Sequence, residues 1–148
     1  MLPISELSAL SLTWQQPSAW RREYLLLSDS GTHGRLAFTS FWKEIIEAEC
    51  GGEAWTFQRT GFFKRQVLVS RAGETAPFAV YVPDTWGKGG RLALGGATYQ
   101  LSSNFWMTRY ELGGPGGQPA VIFHKRGTFR TSVVVQVAPE ALRWPELP

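Results

Sequence analysis

Residues 54–69 read AWTFQRTGFFKRQVLV, and residues 120–135 read AVIFHKRGTFRTSVVV. Laid together without a gap, they agree at six positions: Ala54 with Ala120, Phe57 with Phe123, Gly61 with Gly127, Phe63 with Phe129, Val67 with Val133 and Val69 with Val135. Arg59 with Lys125 and Lys64 with Arg130 keep the charge. After the glycine, the shared apolar residues fall at alternate positions. Side chains alternate faces along a strand, so Phe63, Val67 and Val69 are expected to turn to a core, as are Phe129, Val133 and Val135. Lys64, Gln66, Arg130 and Ser132 take the wet face. Gly61 and Gly127 then mark a tight turn or bulge between two strands, where positive φ or close backbone approach is needed.

The rest of the chain reads the same way. Short runs rich in valine, threonine and aromatics alternate with glycine, proline, asparagine and aspartate. Strands are predicted near 12–16, 22–28, 34–39, 43–50, 53–60, 62–70, 76–82, 90–94, 97–102, 104–112, 118–126 and 128–137. The segment FWKEIIEAEC (41–50) also suits a helical turn or two, but CGG and a strong strand follow at once, so a strand is preferred. Short helices are expected at 4–10, capped by Ser5, and from Pro139 onward. PDTWGKGG (83–90) and GGPGGQP (113–119) look like hairpin tips. A second echo, GRLAF (34–38) and GRLAL (90–94), precedes each copy of the repeat. The expected fold is all-β: a closed antiparallel barrel of about twelve strands built from two pseudo-repeats. It forms one domain over 1–148, with halves at about 12–70 and 76–137. Closure removes the sheet edges that would otherwise invite aggregation.

Composition agrees. The chain has 148 residues, 43% of them apolar and 18% charged, which suits a globular domain rather than a disordered one. The one cysteine, Cys50, excludes an internal disulfide framework and leaves too few thiols for a zinc knuckle. The opening MLPISELSALSLTW has no basic leader region, and no stretch approaches a membrane-spanning apolar run. The expectation is a soluble cytoplasmic chain, peripheral to a membrane if it meets one. The net charge of +3 is unevenly spread. Arg59, Lys64, Arg65 and Arg71 lie between Ala54 and Arg71 with no acid among them, and Lys125, Arg126 and Arg130 lie between Glu111 and Glu140, again with no acid. Such patches attract phosphate.

Signatures of catalysis are absent: no G-x-S-x-G, H-E-x-x-H, C-x-x-C or Walker-type glycine loop occurs. His33 reads as part of a polar turn and His124 as part of a strand. A metal site would need Glu47, Glu49 or Asp84 drawn to one of them, and Cys50 would need an imidazole to become a nucleophile. The expectation is therefore a non-enzymatic module with no cofactor and no metal. Trp55, Phe57 and Arg59 share one strand parity, as do Val121, Phe123 and Lys125. That pattern suits either a base-stacking groove or a core whose basic residue snorkels out at the strand end; the second is preferred, and nucleic acid is not the expected partner. Trp86, with Lys88 beside it in a turn-rich loop, suits contact with a membrane interface or a partner, or packing over a barrel end.

The order of these features resembles the tubby C-terminal, LURP-one-related and phospholipid-scramblase superfamily in a bacterial-type form. The resemblance rests on REYLLL (22–27), GRLAF (34–38), the CGG turn with AWTFQRTGFF (54–63), GRLALGGATYQL (90–101), WMTRYEL (106–112) and RTSVVVQV (130–137). It implies a twelve-stranded barrel around a central apolar helix, with phosphoinositide binding or other lipid-linked roles. No segment here matches the scramblase calcium loop, and no lysine–arginine pair carries over from the tubby lipid site. The family's central helix follows its last strand, whereas RWPELP follows here. The barrel is then expected to be filled by large side chains, by a helix missing from this chain, or by a partner or ligand. Three functions are expected in order: binding of anionic lipid or phosphoinositide head groups through Lys64, Arg65, Lys125, Arg126 and Arg130; an interaction domain whose core accepts an apolar helix; and, last, an enzyme acting through His124 or Cys50.

Overall fold

A computed structural model describes residues 11–40, 42, 44–63, 65–85, 88–114, 116–127, 131–139 and 141. Twelve strands follow one another: β1 (Ser11–Gln15), β2 (Glu23–Ser28), β3 (Gly31–Ser40), β4 (Ile45–Cys50), β5 (Glu53–Thr60), β6 (Gln66–Arg71), β7 (Ala79–Pro83), β8 (Gly90–Leu94), β9 (Ala97–Ser103), β10 (Arg109–Gly113), β11 (Pro119–Arg126) and β12 (Ser132–Val137). Each pairs antiparallel with the next, and β1 pairs with β12, so the sheet closes into a barrel. No helical element occurs among the described residues. The segment 41–50 resolves as expected, into a short connection and strand β4.

The register shows what the alternation is for. Paired residues of neighbouring strands face the same side. Following the pairs around the barrel puts Leu12, Leu26, Ala48, Phe57, Val69, Ala79, Tyr99, Phe123 and Val135 on the inner face. The outer face carries Arg35, Glu47, Glu49, Thr56, Gln58 and Gln100. The same register puts Leu25, Leu27, Leu68, Val80, Ile122 and Val134 on the outer face too, so the wall is mixed, while the inner face is predominantly apolar, unlike the polar lumen of a lipid-embedded barrel. The strands point the same way: most have five or six residues, short of the roughly 9–11 a membrane-spanning strand needs.

The two copies of the repeat occupy β5–β6 and β11–β12, six strands apart on opposite sides of the barrel. Gly61 and Gly127 have φ of 86° and 89°, the left-handed region where a side chain is penalised. Val69 and Val135 are buried in the core, and Val67 and Val133 are half-buried. Phe63 corrects the expectation. It lies before β6 starts and is 95% exposed. The left-handed turn at Gly61 opens a five-residue connection, so strand alternation begins only at Gln66. Phe129 lies outside the described residues.

The GRLA echo is also corrected. Gly34 is in β3 and Gly90 in β8, five strands apart and on strands of opposite direction, so the six-strand step that relates the main repeat does not relate these. The two glycines share a local reason instead. A Cβ on Gly34 would sit 2.9 Å from the Glu49 carbonyl oxygen, and one on Gly90 2.5 Å from that of Val82. His33 is likewise not in a turn but in β3, 1% exposed. Its Nε2 lies 2.6 Å from Ser28 Oγ and 3.3 Å from Ser30 Oγ, which satisfies a buried ring. The N-terminal helix expected at 4–10 lies outside the described residues, as does most of the expected C-terminal one.

Candidate functional site

The barrel's two ends differ. Because the strands alternate in direction, the connections 29–30, 51–52, 72–78, 95–96 and 114–118 cluster at one end. Those at 16–22, 41–44, 61–65, 84–89, 104–108 and 127–131 cluster at the other. The first end has tight turns: Gly51 and Gly52, and Gly95 and Gly96, all have positive φ, the pattern of two-residue type I′ hairpins. The second end, here called the mouth, is ringed by longer loops.

Charge separates along the same axis. Arg21, Arg22, Arg59, Arg65, Lys88, Arg109, Lys125 and Arg126 stand at or beside the mouth and outnumber Glu23, Glu44, Asp84 and Glu111 there, whereas Asp29, Glu49, Glu53 and Glu74 stand at the opposite end with Arg71. Three carboxylates near the mouth are matched to arginines. Arg59 Nη1 lies 3.2 Å from Glu44, Arg109 Nη2 lies 2.6 Å from Glu111, and Arg35 Nε lies 2.5 Å from Glu23. The hydrogen bond from Arg35 to Glu23, together with their charge attraction, raises the Arg35 pKa further. Arg65, Lys125 and Arg126 make no ion pair among the described residues.

The mouth is also where the large apolar side chains meet water. Trp20 is 96% exposed, Trp42 92%, Phe62 91%, Phe105 71% and Trp106 76%. Phe62 and Phe63 form an edge-to-face pair with centroids 5.3 Å apart, and Phe105 and Trp106 another at 5.1 Å. Lys88 Nζ stands 4.5 Å from the Phe105 ring centre. The loop under Phe105 and Trp106 is braced by Asn104. Its Oδ1 accepts the backbone N–H groups of Thr108 and Arg109 at 2.9 and 3.1 Å, and its Nδ2 donates to Thr108 Oγ1 at 2.9 Å. Among the described residues two non-glycine residues take positive φ, Glu44 at 48° and Met107 at 53°. Both sit beside these aromatics.

Three cavities adjoin at the mouth, each lined by Arg59. One of about 400 Å³ runs onto the inner face along Phe38, Ile46, Phe57 and Val67 under Arg22. A second, about 390 Å³, is walled by Glu44, Thr60, Gly61, Phe62 and Arg65. The third, about 820 Å³, lies between Phe63, Arg65, Val82 and Asp84. Thr60 Oγ1 is a buried atom without a hydrogen-bond partner among the described residues.

Of the residues singled out from sequence, Arg65, Lys125, Arg126 and Lys88 are at the mouth, while Lys64, Arg130 and Trp86 lie outside the described residues. Arg65 and the Lys125–Arg126 pair are six strands apart. Strands about 4.8 Å apart and tilted about 40° close a twelve-stranded ring roughly 24 Å across. These cations therefore line a rim and do not converge on one anion. The fold also splits Lys125 from Arg126: Lys125 pairs with inward-facing Val133 and Arg126 with Ser132. The Trp20, Trp42, Phe62, Phe105 and Trp106 contribution was missed from sequence, although a signal was there. The sequences AWRR (19–22), FWK (41–43), GFFKR (61–65), DTWGK (84–88), FWMTR (105–109) and TFR (128–130) pair an aromatic with a lysine or arginine in all six mouth connections.

The other candidates stand elsewhere. Cys50 is buried at the far end of β4, and desolvation pushes its thiol pKa up, away from thiolate. His33 is packed as described. No cluster of three or more metal-ligating side chains occurs among the described residues, and no helix there is long and apolar enough to cross a membrane. The fold and its mouth define a class: a closed antiparallel β-barrel with a basic, aromatic rim. No family model, curated protein or solved structure matches the chain.

Proposed function

We propose that this chain is a non-enzymatic binding domain that docks its mouth on an anionic lipid surface. The observation that carries this reading is the axial charge bias, an excess of arginines and lysines around the mouth and of carboxylates around the opposite end. Juxtamembrane lysines and arginines gain about 1 kcal/mol each near an anionic leaflet, and a distributed rim suits a plane of many head groups better than one phosphate. In this reading the outer wall stays in water while the mouth meets the membrane.

Co-sedimentation with neutral and phosphatidylserine-containing vesicles tests it. The native chain is expected to bind the anionic vesicles selectively and to be released as salt rises. The Arg65→Glu, Lys125→Glu, Arg126→Glu variant is expected to lose that binding while keeping its thermal midpoint. Absence of binding at low salt would turn the search to the alternative, an interaction domain. The half-open inner face at Phe38, Ile46, Phe57 and Val67 favours that alternative, since it offers an apolar wall to a partner's helix.

A further inference from the structure

The charges of the mouth account for attraction to a membrane but not for its aromatic rings. Monomeric proteins seldom leave large apolar side chains together in water, and where they do the patch marks a contact. Here nearly all such side chains among the described residues are gathered at one end. They come from separate loops around the rim: Trp20 between β1 and β2, Trp42 between β3 and β4, Phe62 and Phe63 between β5 and β6, and Phe105 and Trp106 between β9 and β10.

Resting on the docking reading above, we infer that this rim inserts its aromatic rings into the interface of an anionic bilayer, at the boundary between head groups and acyl chains. Three observations choose this occupant. Tryptophan is the residue enriched at that boundary, its ring apolar and its N–H wet. Cations accompany the rings: Arg21 and Arg22 follow Trp20, Arg65 follows the phenylalanine pair, and Lys88 stands over Phe105. Rings with cations beside them suit an interfacial anchor on anionic lipid. Of the carboxylates near the mouth, Glu23, Glu44 and Glu111 are each tied to an arginine, which lowers their repulsion from lipid phosphate, and Asp84 is outnumbered by the rim's cations. A second copy of the chain fits less well, because two mouths face to face would oppose like charges.

The anchor is partly built in advance. Asn104 ties down the loop that carries Phe105 and Trp106. Gln16 Nε2 donates to the Arg21 carbonyl at 2.9 Å and so closes the loop that carries Trp20. Rings already held outward lose little freedom on insertion.

The test compares the native chain with a Trp20→Ser, Phe63→Ser, Trp106→Ser variant on phosphatidylcholine–phosphatidylserine vesicles, with and without brominated acyl chains. The native chain is expected to keep part of its binding in high salt, where the electrostatic share is screened. Its tryptophan fluorescence is expected to be quenched by bromines near the head groups. The variant is expected to keep its circular dichroism and thermal midpoint, to bind at least about tenfold more weakly, and to be released completely by salt. Native binding that vanishes fully with salt and shows no bromine quenching would overturn insertion and leave electrostatic docking standing. No binding even at low salt would remove both. Self-association that the three substitutions abolish, without vesicle binding, would make the rim an interface between copies and overturn the inference as well.

Discussion

At the scale of single residues, backbone conformation and burial set what each site tolerates. Gly61 and Gly127 have positive φ, so Gly127→Val is expected to cost on the order of 1–2 kcal/mol or more in a urea melt. Their role was legible because both copies keep glycine between strand-like runs. His33 was not legible. Its neighbours Ser30, Gly31 and Thr32 spell a turn, and only the pairing of β2 with β3 shows that the tight turn ends before it. Burial also writes a pH dependence. Desolvation raises the Tyr81 pKa above its ordinary 10.0, with Asp84 and then Tyr110 adding to it. Desolvation raises that of Cys50 above 9.0. A raised folded pKa means that the folded chain holds its proton more tightly. The stability this contributes is complete below the unfolded value and falls as pH rises through the folded one. Stability is therefore expected to decline above about pH 9–10, and Tyr81→Phe should flatten that limb when thermal midpoints are measured across pH.

At the scale of elements, alternation and turn chemistry reveal strands well and say less about where a strand begins. All twelve strands stop within a residue of the sequence reading, because valine-rich runs and glycine turns bound them locally, but β6, β10 and β12 start four or five residues later than expected, so Phe105 and Trp106 lie in a loop and not in the strand expected at 104–112. The connection 61–65 escaped. FFKRQVLV alternates as though β6 began at Phe62, yet Gly61 leads into a loop that throws both phenylalanines outward. A paired substitution separates the two readings. Phe63→Ser is expected to change stability by less than about 0.5 kcal/mol, as surface changes do. Phe57→Ala, on the inner face of β5, is expected to cost about 3 kcal/mol. Equal costs in a denaturant titration would return Phe63 to the core.

At the scale of the whole molecule, closure and polarity govern function. A barrel whose strands alternate in direction sends every second connection to the same end. Six loops that are scattered along the sequence thus form one rim. That convergence is a property of topology, which is why Arg65, Lys125 and Arg126 could be named from sequence while their separation across the mouth could not. The aromatic–basic pairing of the loops is visible in the sequence only once their common end is known. The central claim is that the mouth, and not the wall or the far end, meets the membrane. Hydrogen exchange on the intact chain, free and bound to phosphatidylserine-containing vesicles, tests this most directly. Protection is expected in 16–22, 61–65 and 104–108, with 29–30, 51–52 and 95–96 unchanged. Protection confined to the far-end hairpins, or spread along the outer wall, would contradict it.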